Sequence, residues 1–543
     1  MKRIEDYAFY SCSSLSTFTG YSQLEYIGGS AINVDFDTHI PWYSNQPDGL
    51  LYLGKVLYGY KGTMPDNTTV NVNEGTTMIK SEAFRNCTGL VGLKIPKSVN
   101  TIGTCIVGSC RNLVSISVAD GNKKYDSRGG CNAIIETAKN MIIAGCKNTT
   151  FPSTVTAIGG FSFQSVGLTE LIIPNNIDSI GTAAFNANSS LETVMIGKGL
   201  RYIAMDAFLF GRSKLKSISV ASANPYFDSR ENCNAIIETA TSKLLVGCAT
   251  TMIPASVKTI GRHAFYSCGG DLYTMTIPDN VEKIEDYAVE YNSNLRSLML
   301  GKNVKEIGKS VFYGCNALRS IRSLATSPAE IDESVFKSSY TYYPDTVYNN
   351  ATLYVPVGSK INYLTTAGWN KFKKIVELSD MSAPQEGDFV EADGPLLYTV
   401  TDAVARTCEV SVVKSYVQGA VTIPAQVKGY SVTAIGKETF LNKKGITEVT
   451  IPASVKELKS NALYSCSDLE RINLPSSLER IGYFALGGLG KVTEIVIPRS
   501  VVYVDRSILA ADSLLTSITV EEGNPVFDSR GGCNAIIETA TNS

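Results

Sequence analysis

IPASVKTIGRHAFYSC, at residues 253–268, is the stretch from which the architecture is read, because most of the chain consists of variants of it. Aligning the isoleucine of its I-G-x-x-A-F-x-x-C core, Ile260, brings Ile4, Ile79, Ile102, Ile158, Ile180, Ile203, Ile284, Ile307, Ile331, Ile435, Leu458, Ile481 and Val504 into one column. The short steps between them are 22 to 24 residues. A unit of that length cannot bury its own apolar face and must stack on its neighbours, so the period predicts a solenoid whose array is the core. Periodicity overrides the about three or four globular domains that a length of 543 residues would otherwise suggest.

A second pattern, L-x-x-I-x-I-P-x-x-V, follows the first within each unit, as in LERINLP at 469–475 and LYTMTIP at 272–278. Its fourth and sixth positions place two apolar side chains on one face of a short strand, and its third and fifth point the other way. Proline ends the strand, since it has no N–H for the ladder. The phenylalanine of the A-F pair enters the interior, where each fully buried Phe or Ile contributes roughly 1.5–3 kcal/mol.

Three blocks carry a specific resemblance: IPASVKTIGRHAFYSC, YDSRGGCNAIIETAKNMIIAGC at 125–146, and ATLYVPVGSKINYLTTAGWNKFKKIVE at 351–377. Together with the plain repeats they resemble the BspA-like class of leucine-rich repeats, a family of bacterial surface proteins. The resemblance implies a mainly β repeat solenoid, a leucine-rich-repeat horseshoe of short strands with inserted β-hairpins and little helix. It also implies a cell-surface or secreted protein engaged in adhesion to host matrix proteins, other cells or surface polymers.

Charge excludes some partners. Lys and Arg number 49 against 51 Asp and Glu, a formal net charge of −2, and the charges are interspersed. No basic block marks a nucleic-acid or membrane-surface binder, and no run approaches the roughly 18 apolar residues of a membrane span. Met1-Lys-Arg runs straight into IEDYAFYSC, whose first five residues match IEDYAVEY at 284–291, and CNAIIETATN at 533–542 stops where earlier copies continue. The chain therefore reads as a fragment of a longer protein, with signal and anchor outside it.

Of thirteen cysteines, Cys12, Cys87, Cys110, Cys268, Cys315 and Cys466 occupy one repeat slot that elsewhere holds Asn188, Asn292, Gly211, Ser339 or Val166. A metal ligand would not exchange with valine from turn to turn, so these read as small buried side chains. Cys131/Cys146 and Cys233/Cys248 each bracket a C-N-A-I-I-E-T…G-C hairpin turning near Ala138-Lys139 and Ala240-Thr241. A two-residue turn would set each pair opposite, leaving either a disulfide or unpaired packing thiols.

In chain order, residues 1–378 form a first array, 379–394 a polar linker (SDMSAPQEGDFVEADG), and 395–543 a second array truncated at its C-terminus. An aromatic-rich unit near the start contains a hairpin around Gly54-Lys55 and the loop residues Pro41, Trp42 and Tyr43. It is either a protruding contact surface or an elaborated repeat packing its own aromatics. Long units at 118–157 and 220–259 carry Tyr/Phe-Asp-Ser-Arg, which returns at 527–530. An Asp–Arg turn explains that motif better than calcium at Asp126 with Asp120 and Asn122, because the dense carboxylates of a calcium loop are missing. Residues 340–378, with a Tyr-rich loop, a strand at 351–357 and helical potential at 359–369, read as the unit that covers the end of an array.

No catalytic motif is found. Only His39 and His263 are present, and neither falls in a distinctive loop with a nucleophile. No cofactor and no metal site is expected, and the chain is not expected to be an enzyme. What remains is surface. Strand positions three and five should face the concave side: Glu170 and Ile172, Thr193 and Met195, Ser217 and Ser219, Thr274 and Thr276, Ser297 and Met299, Ser320 and Arg322. Such faces are extended binding surfaces in solenoids, here mostly small and hydroxylated, suited to a host or bacterial surface protein or glycoprotein; Thr and Ser also simply suit solvent-facing strands. The second array's equivalents, Glu448, Thr450, Arg471, Asn473, Glu494 and Val496, are more charged. Glycan binding is the alternative, through exposed aromatics at Trp42, Tyr43, Tyr58 and Tyr60 or at Tyr340, Tyr342 and Tyr343. A targeting array for an enzyme encoded outside this chain is a further one.

Overall fold

The computed structural model describes residues 1–10, 12–28, 31–32, 41–391 and 394–542. Stacked coils form a mainly β solenoid with little helix, and each regular coil gives one strand to each of two parallel ladders. In the first ladder Glu170–Ile173, Thr193–Ile196 and Ser217–Val220 pair in register, so Leu171, Val194 and Ile218 stack in one column and Ile173 and Ile196 in the next. These inward residues are buried, as the alternation requires. In the second ladder the two-residue strands Ala157–Ile158, Ser179–Ile180 and Tyr202–Ile203 stack the isoleucine that defines the period.

Between the two strands the chain bends through the A-F segment, and this bend is itself a ladder. Phe163 N–H donates to Ala184 C=O at 2.8 Å, Phe185 to Ala207 at 2.9 Å, and Phe312 to Val335 at 2.9 Å. The rings follow their backbones: Phe163, Phe185 and Phe208 stack at 5.3 Å with interplanar angles of 19° and 17°. Each regular coil thus repeats the backbone contacts of the last, which holds its length near-constant.

The cysteine slot lies where the coil turns from the bend towards the strand, and it has a hydrogen-bonding task. Asn188 donates from Nδ2 to the carbonyls of Phe163 and Phe185, both at 2.8 Å, and accepts at Oδ1 from the N–H groups of Gly167 and Leu168. Asn292 repeats this with Phe265, Val289 and Cys268. Cysteine keeps one part of it: Cys110, Cys315 and Cys466 each direct their thiol to a carbonyl of the preceding coil, at 2.9, 3.3 and 3.2 Å.

The long units insert hairpins at the edge of the second ladder. Ala133–Glu136 pairs antiparallel with Met141–Gly145, which then pairs parallel with Ala157–Ile158. The turn is longer than the expected two residues: a 3₁₀ turn at Thr137–Lys139 closes on Asn140 in the left-handed conformation. Cys131 and Cys146 are both free and buried. The Cys146 thiol contacts the Asn132 carbonyl at 3.4 Å, and Asn132, which separates Cys131 from the strand, takes the left-handed conformation with φ 53°. The two cysteines belong to different apolar clusters, Cys131 to the one that holds Phe163 and Cys146 to the one that holds Ile134.

At the hairpin base Arg128 closes on Asp126, with Nε 2.9 Å from Oδ1 and Nη2 2.7 Å from Oδ2; Arg230–Asp228 and Arg530–Asp528 do the same. The carboxylates of this motif are therefore committed to arginine. Within residues 340–378, Thr352–Pro356 and Lys374–Leu378 add two strands to the ladder of Ser320–Ser323, and Tyr348, Tyr363, Trp369 and Phe372 join its apolar cluster. The polar stretch that follows is not free. Phe389–Glu391 pairs antiparallel with Leu396–Asp402, the first strand of the next hairpin, and Val390 is buried.

Candidate functional site

Outward side chains of the first ladder come together as columns. Glu170, Thr193 and Ser217 share one register position, and Ile172, Met195 and Ser219 share another. Ile172 is 50% exposed despite its apolar side chain, Glu170 and Ser219 are exposed, and Thr193, Met195 and Ser217 are half-buried. A second block repeats the arrangement with Thr274 beside Ser297 and Thr276 beside Met299. Thr276 is exposed, and the others are half-buried.

Ser320 and Arg322, expected to continue these columns, do not present an open surface. They keep the register, but both are buried, Arg322 to 5% exposure. Residues 383–389 lie over them. Arg322 Nη2 is 2.5 Å from Asp388 Oδ2 and 2.9 Å from the Ala383 carbonyl, and its guanidinium faces the Tyr354 ring at 5.3 Å. Phe389 continues the cover, its ring 6.4 Å from that of Tyr273 and 5.7 Å from the Arg296 guanidinium. Ser415, past the hairpin, donates from Oγ to Asp271 at 2.8 Å. An outward arginine offered a buried carboxylate is drawn into an ion pair, which strand alternation alone does not reveal.

The corresponding face further along the chain is open and charged. Thr450, Arg471, Asn473, Glu494 and Val496 are exposed, and Arg471 lies 3.6 Å from Glu448. Arg471, Asn473, Glu494 and Val496 border a cleft of about 480 Å³.

The two aromatic groups differ in kind. Trp42 is not a platform: it is 3% exposed and packs edge-on against Phe18 at 5.4 Å and Tyr58 at 5.5 Å. Tyr340, Tyr342 and Tyr343 are exposed. His39 lies outside the described residues. His263 sits half-buried between Tyr266 and Tyr287, at 5.6 and 5.5 Å. Burial, aided by Arg262 and Arg212, lowers its pKa to about 4, so the ring is neutral.

Sequence reasoning missed an aromatic ribbon along the bends. Phe210, Tyr266, Tyr291 and Tyr313 meet edge to face at 5.1, 5.6 and 5.5 Å. Glu290 lies among them, and burial lifts its carboxyl to about 7 against a smaller opposing pull from Arg262. The signal was available as aromatic residues recurring six or seven positions after the aligned isoleucine. Arg212 was also missed: buried beside this ribbon, it donates to the carbonyls of Gly247, His263, Ala264 and Tyr266. Among the described residues no cluster of three or more His, Cys, Asp or Glu is arranged to hold a metal, and no helix is long and apolar enough to cross a membrane.

No curated protein matches the chain. Among solved structures, a leucine-rich repeat protein from Eubacterium ventriosum is 19% identical, covering 80% of this chain and 90% of its own, with a TM-score of 0.36. One from Bacteroides ovatus is 17% identical over 86% of this chain and 95% of its own, with a TM-score of 0.32. The pneumococcal vaccine antigen PcpA is 18% identical over 70% of this chain and 78% of its own, with a TM-score of 0.31. The family model described as BspA type leucine rich repeat region matches in six copies, over residues 1–35, 59–129, 132–237, 244–343 and 422–530. With well over half its length matched, the chain belongs to the BspA-type leucine-rich-repeat family.

Proposed function

We propose that this chain is a non-enzymatic recognition protein of a bacterial cell surface, adhering to host or bacterial surface proteins or glycoproteins through the outward faces of its strands. One observation carries the reading. The register places Ile172, half exposed, beside Met195 and flanks both with the small or polar residues Glu170, Thr193, Ser217 and Ser219. Apolar side chains held in the open by a rigid ladder supply contact area with little ordering cost, and a polar rim suits a protein partner. Thr274, Thr276, Ser297 and Met299 extend the same surface over a second block.

Binding to immobilised matrix glycoproteins, before and after enzymatic deglycosylation, tests this. Saturable binding that survives deglycosylation and falls at least tenfold in an Ile172→Asp/Met195→Asp variant is the expected result. Both side chains point away from the core, so the variant should melt as the parent does. Unchanged binding in that variant would overturn the assignment of the face.

A further inference from the structure

We propose that the cleft bordered by Tyr340, Tyr342, Tyr343, Asp345, Asn349 and Asn350 is a binding site for neutral glycans, separate from the strand faces. The cleft measures about 500 Å³, within the size range of small-molecule sites. Tyrosine presents a large apolar ring, and here Tyr342 is 91% and Tyr343 72% exposed. Three exposed tyrosines beside one cleft offer apolar ring faces of the kind on which the C–H faces of a sugar ring stack.

The polar groups fit the same ligand. Asp345 precedes the short helix Thr346–Asn350 but makes no side-chain cap bond to it, and the Asn349 and Asn350 side chains are exposed. A carboxylate only accepts hydrogen bonds, and an amide both donates and accepts. Together they match vicinal hydroxyls, which donate to the one and exchange with the other. Among the described residues Asp345 is the only charged one lining the cleft, so phosphate, sulfate and carboxylate ligands meet no counter-charge there. A polyproline peptide offers carbonyls, which a carboxylate cannot satisfy. A quaternary ammonium would use the rings but leave the two amides without a role.

The surface is also held in place. Ser338 N–H donates to the Pro344 carbonyl at 2.7 Å, Tyr343 N–H to Tyr340 at 3.0 Å, and Thr346 Oγ1–H to Tyr343 at 2.7 Å. Between the cleft residues Asp345 and Asn349, Tyr348 is buried against Phe336 and Phe372, with ring centroids at 5.9 and 5.0 Å. A loop fixed by its own backbone and anchored in the core loses little freedom when a sugar binds.

The test uses the whole chain on an array of neutral hexose and N-acetylhexosamine oligosaccharides, with calorimetric titration of those retained. Wild type should retain at least one oligosaccharide, and Tyr342→Ala/Tyr343→Ala should lose affinity at least tenfold while keeping the parental melting curve. Asp345→Asn, which keeps shape and changes only acceptor character, should weaken binding several-fold. The Ile172→Asp/Met195→Asp variant should bind the same sugar unchanged, separating this site from the strand faces. Failure of wild type to retain any neutral oligosaccharide at millimolar concentration would overturn the proposal. So would retention indifferent to the tyrosines, or displacement of the sugar by choline or a proline-rich peptide at equal concentration.

Discussion

Replacing Asn188 with alanine is the sharpest probe of how the coils are held together. Asn188 is 1% exposed, and its amide serves four backbone groups: the carbonyls of Phe163 and Phe185 and the N–H groups of Gly167 and Leu168. Alanine leaves all four without that partner. Gly167 is half-buried and can turn to water, while the other three are buried. At about 1–3 kcal/mol for each buried group left unpaired, the loss is on the order of 4 kcal/mol. Asn188→Cys should recover about 1 kcal/mol of it, because a thiol there can donate to a carbonyl as Cys110 does to Phe84. Asn188→Asp should be worse than alanine, since it sets a carboxylate oxygen against two carbonyls. Urea denaturation followed by circular dichroism measures the order, and hydrogen exchange over residues 156–220 shows whether loss is confined to the neighbouring coils, as nearest-neighbour coupling requires. A loss below about 1 kcal/mol in the alanine variant, or cysteine and aspartate variants of equal stability, would refute the reasoning.

Glu290 should make stability fall as pH rises. Its carboxyl ionises near 7 in the folded chain against an ordinary 4.5, so the unfolded chain releases its proton first and the penalty accumulates between those values. Glu290→Gln should match wild type at pH 4 and melt higher at pH 8, a difference kept small by partial exposure and read by thermal melts at both values. Asp388→Ala should strand the Arg322 charge and cost about 3–5 kcal/mol locally, whereas Arg322→Leu/Asp388→Leu should be close to neutral; hydrogen exchange at 385–391 distinguishes them. Alkylation of the native protein at pH 8 should label Cys12, which is exposed and not buried as its repeat slot implies, and Cys533 first. Cys87, Cys268 and Cys315, with pKa values raised to about 11, 12 and 12 by burial, should react only after denaturant is added, and mass spectrometry of the labelled peptides checks the order.

Strand phase was legible because it depends only on alternation within a few residues. Leu171 and Ile173 turn inward and Glu170 and Ile172 outward as the pattern requires. The hairpin around Gly54-Lys55 was legible for the same reason, and Gly49–Leu53 and Val56–Lys61 form it. What alternation cannot report is what lies above the strand. Arg322 meets a partner 66 residues away, within a stretch whose proline, glycine and charge read as a linker. For Trp42 the sequence left two readings open, a contact surface or a repeat packing its own aromatics, and Phe18 and Tyr58, one on each side of it in sequence, supply the second. A subtler loss concerns the variable third residue after the aligned isoleucine. Ala183, His263, Tyr287, Ser310 and Asn461 share no chemistry, yet all have φ between 52° and 59°. A left-handed residue costs roughly 1–2 kcal/mol when it is not glycine, and the coil imposes that conformation at a position where composition shows no preference for glycine.

These gaps bear directly on where a partner can bind. A polar linker would leave the whole strand face available, from Glu170 to Arg322. Instead the face is bounded, because Asp388 and Phe389 cover its far end and Ser415 is bonded to Asp271 beside Thr274. An ion pair with both side chains at 6% exposure or less is held by excluded water and fixed geometry, so it resists salt far better than a surface pair would. Ionic strength should therefore leave the boundary in place. A partner using only the open blocks will not sense Asp388→Ala, whereas one that reads the full face will bind that variant more tightly once Ser320 and Arg322 are released.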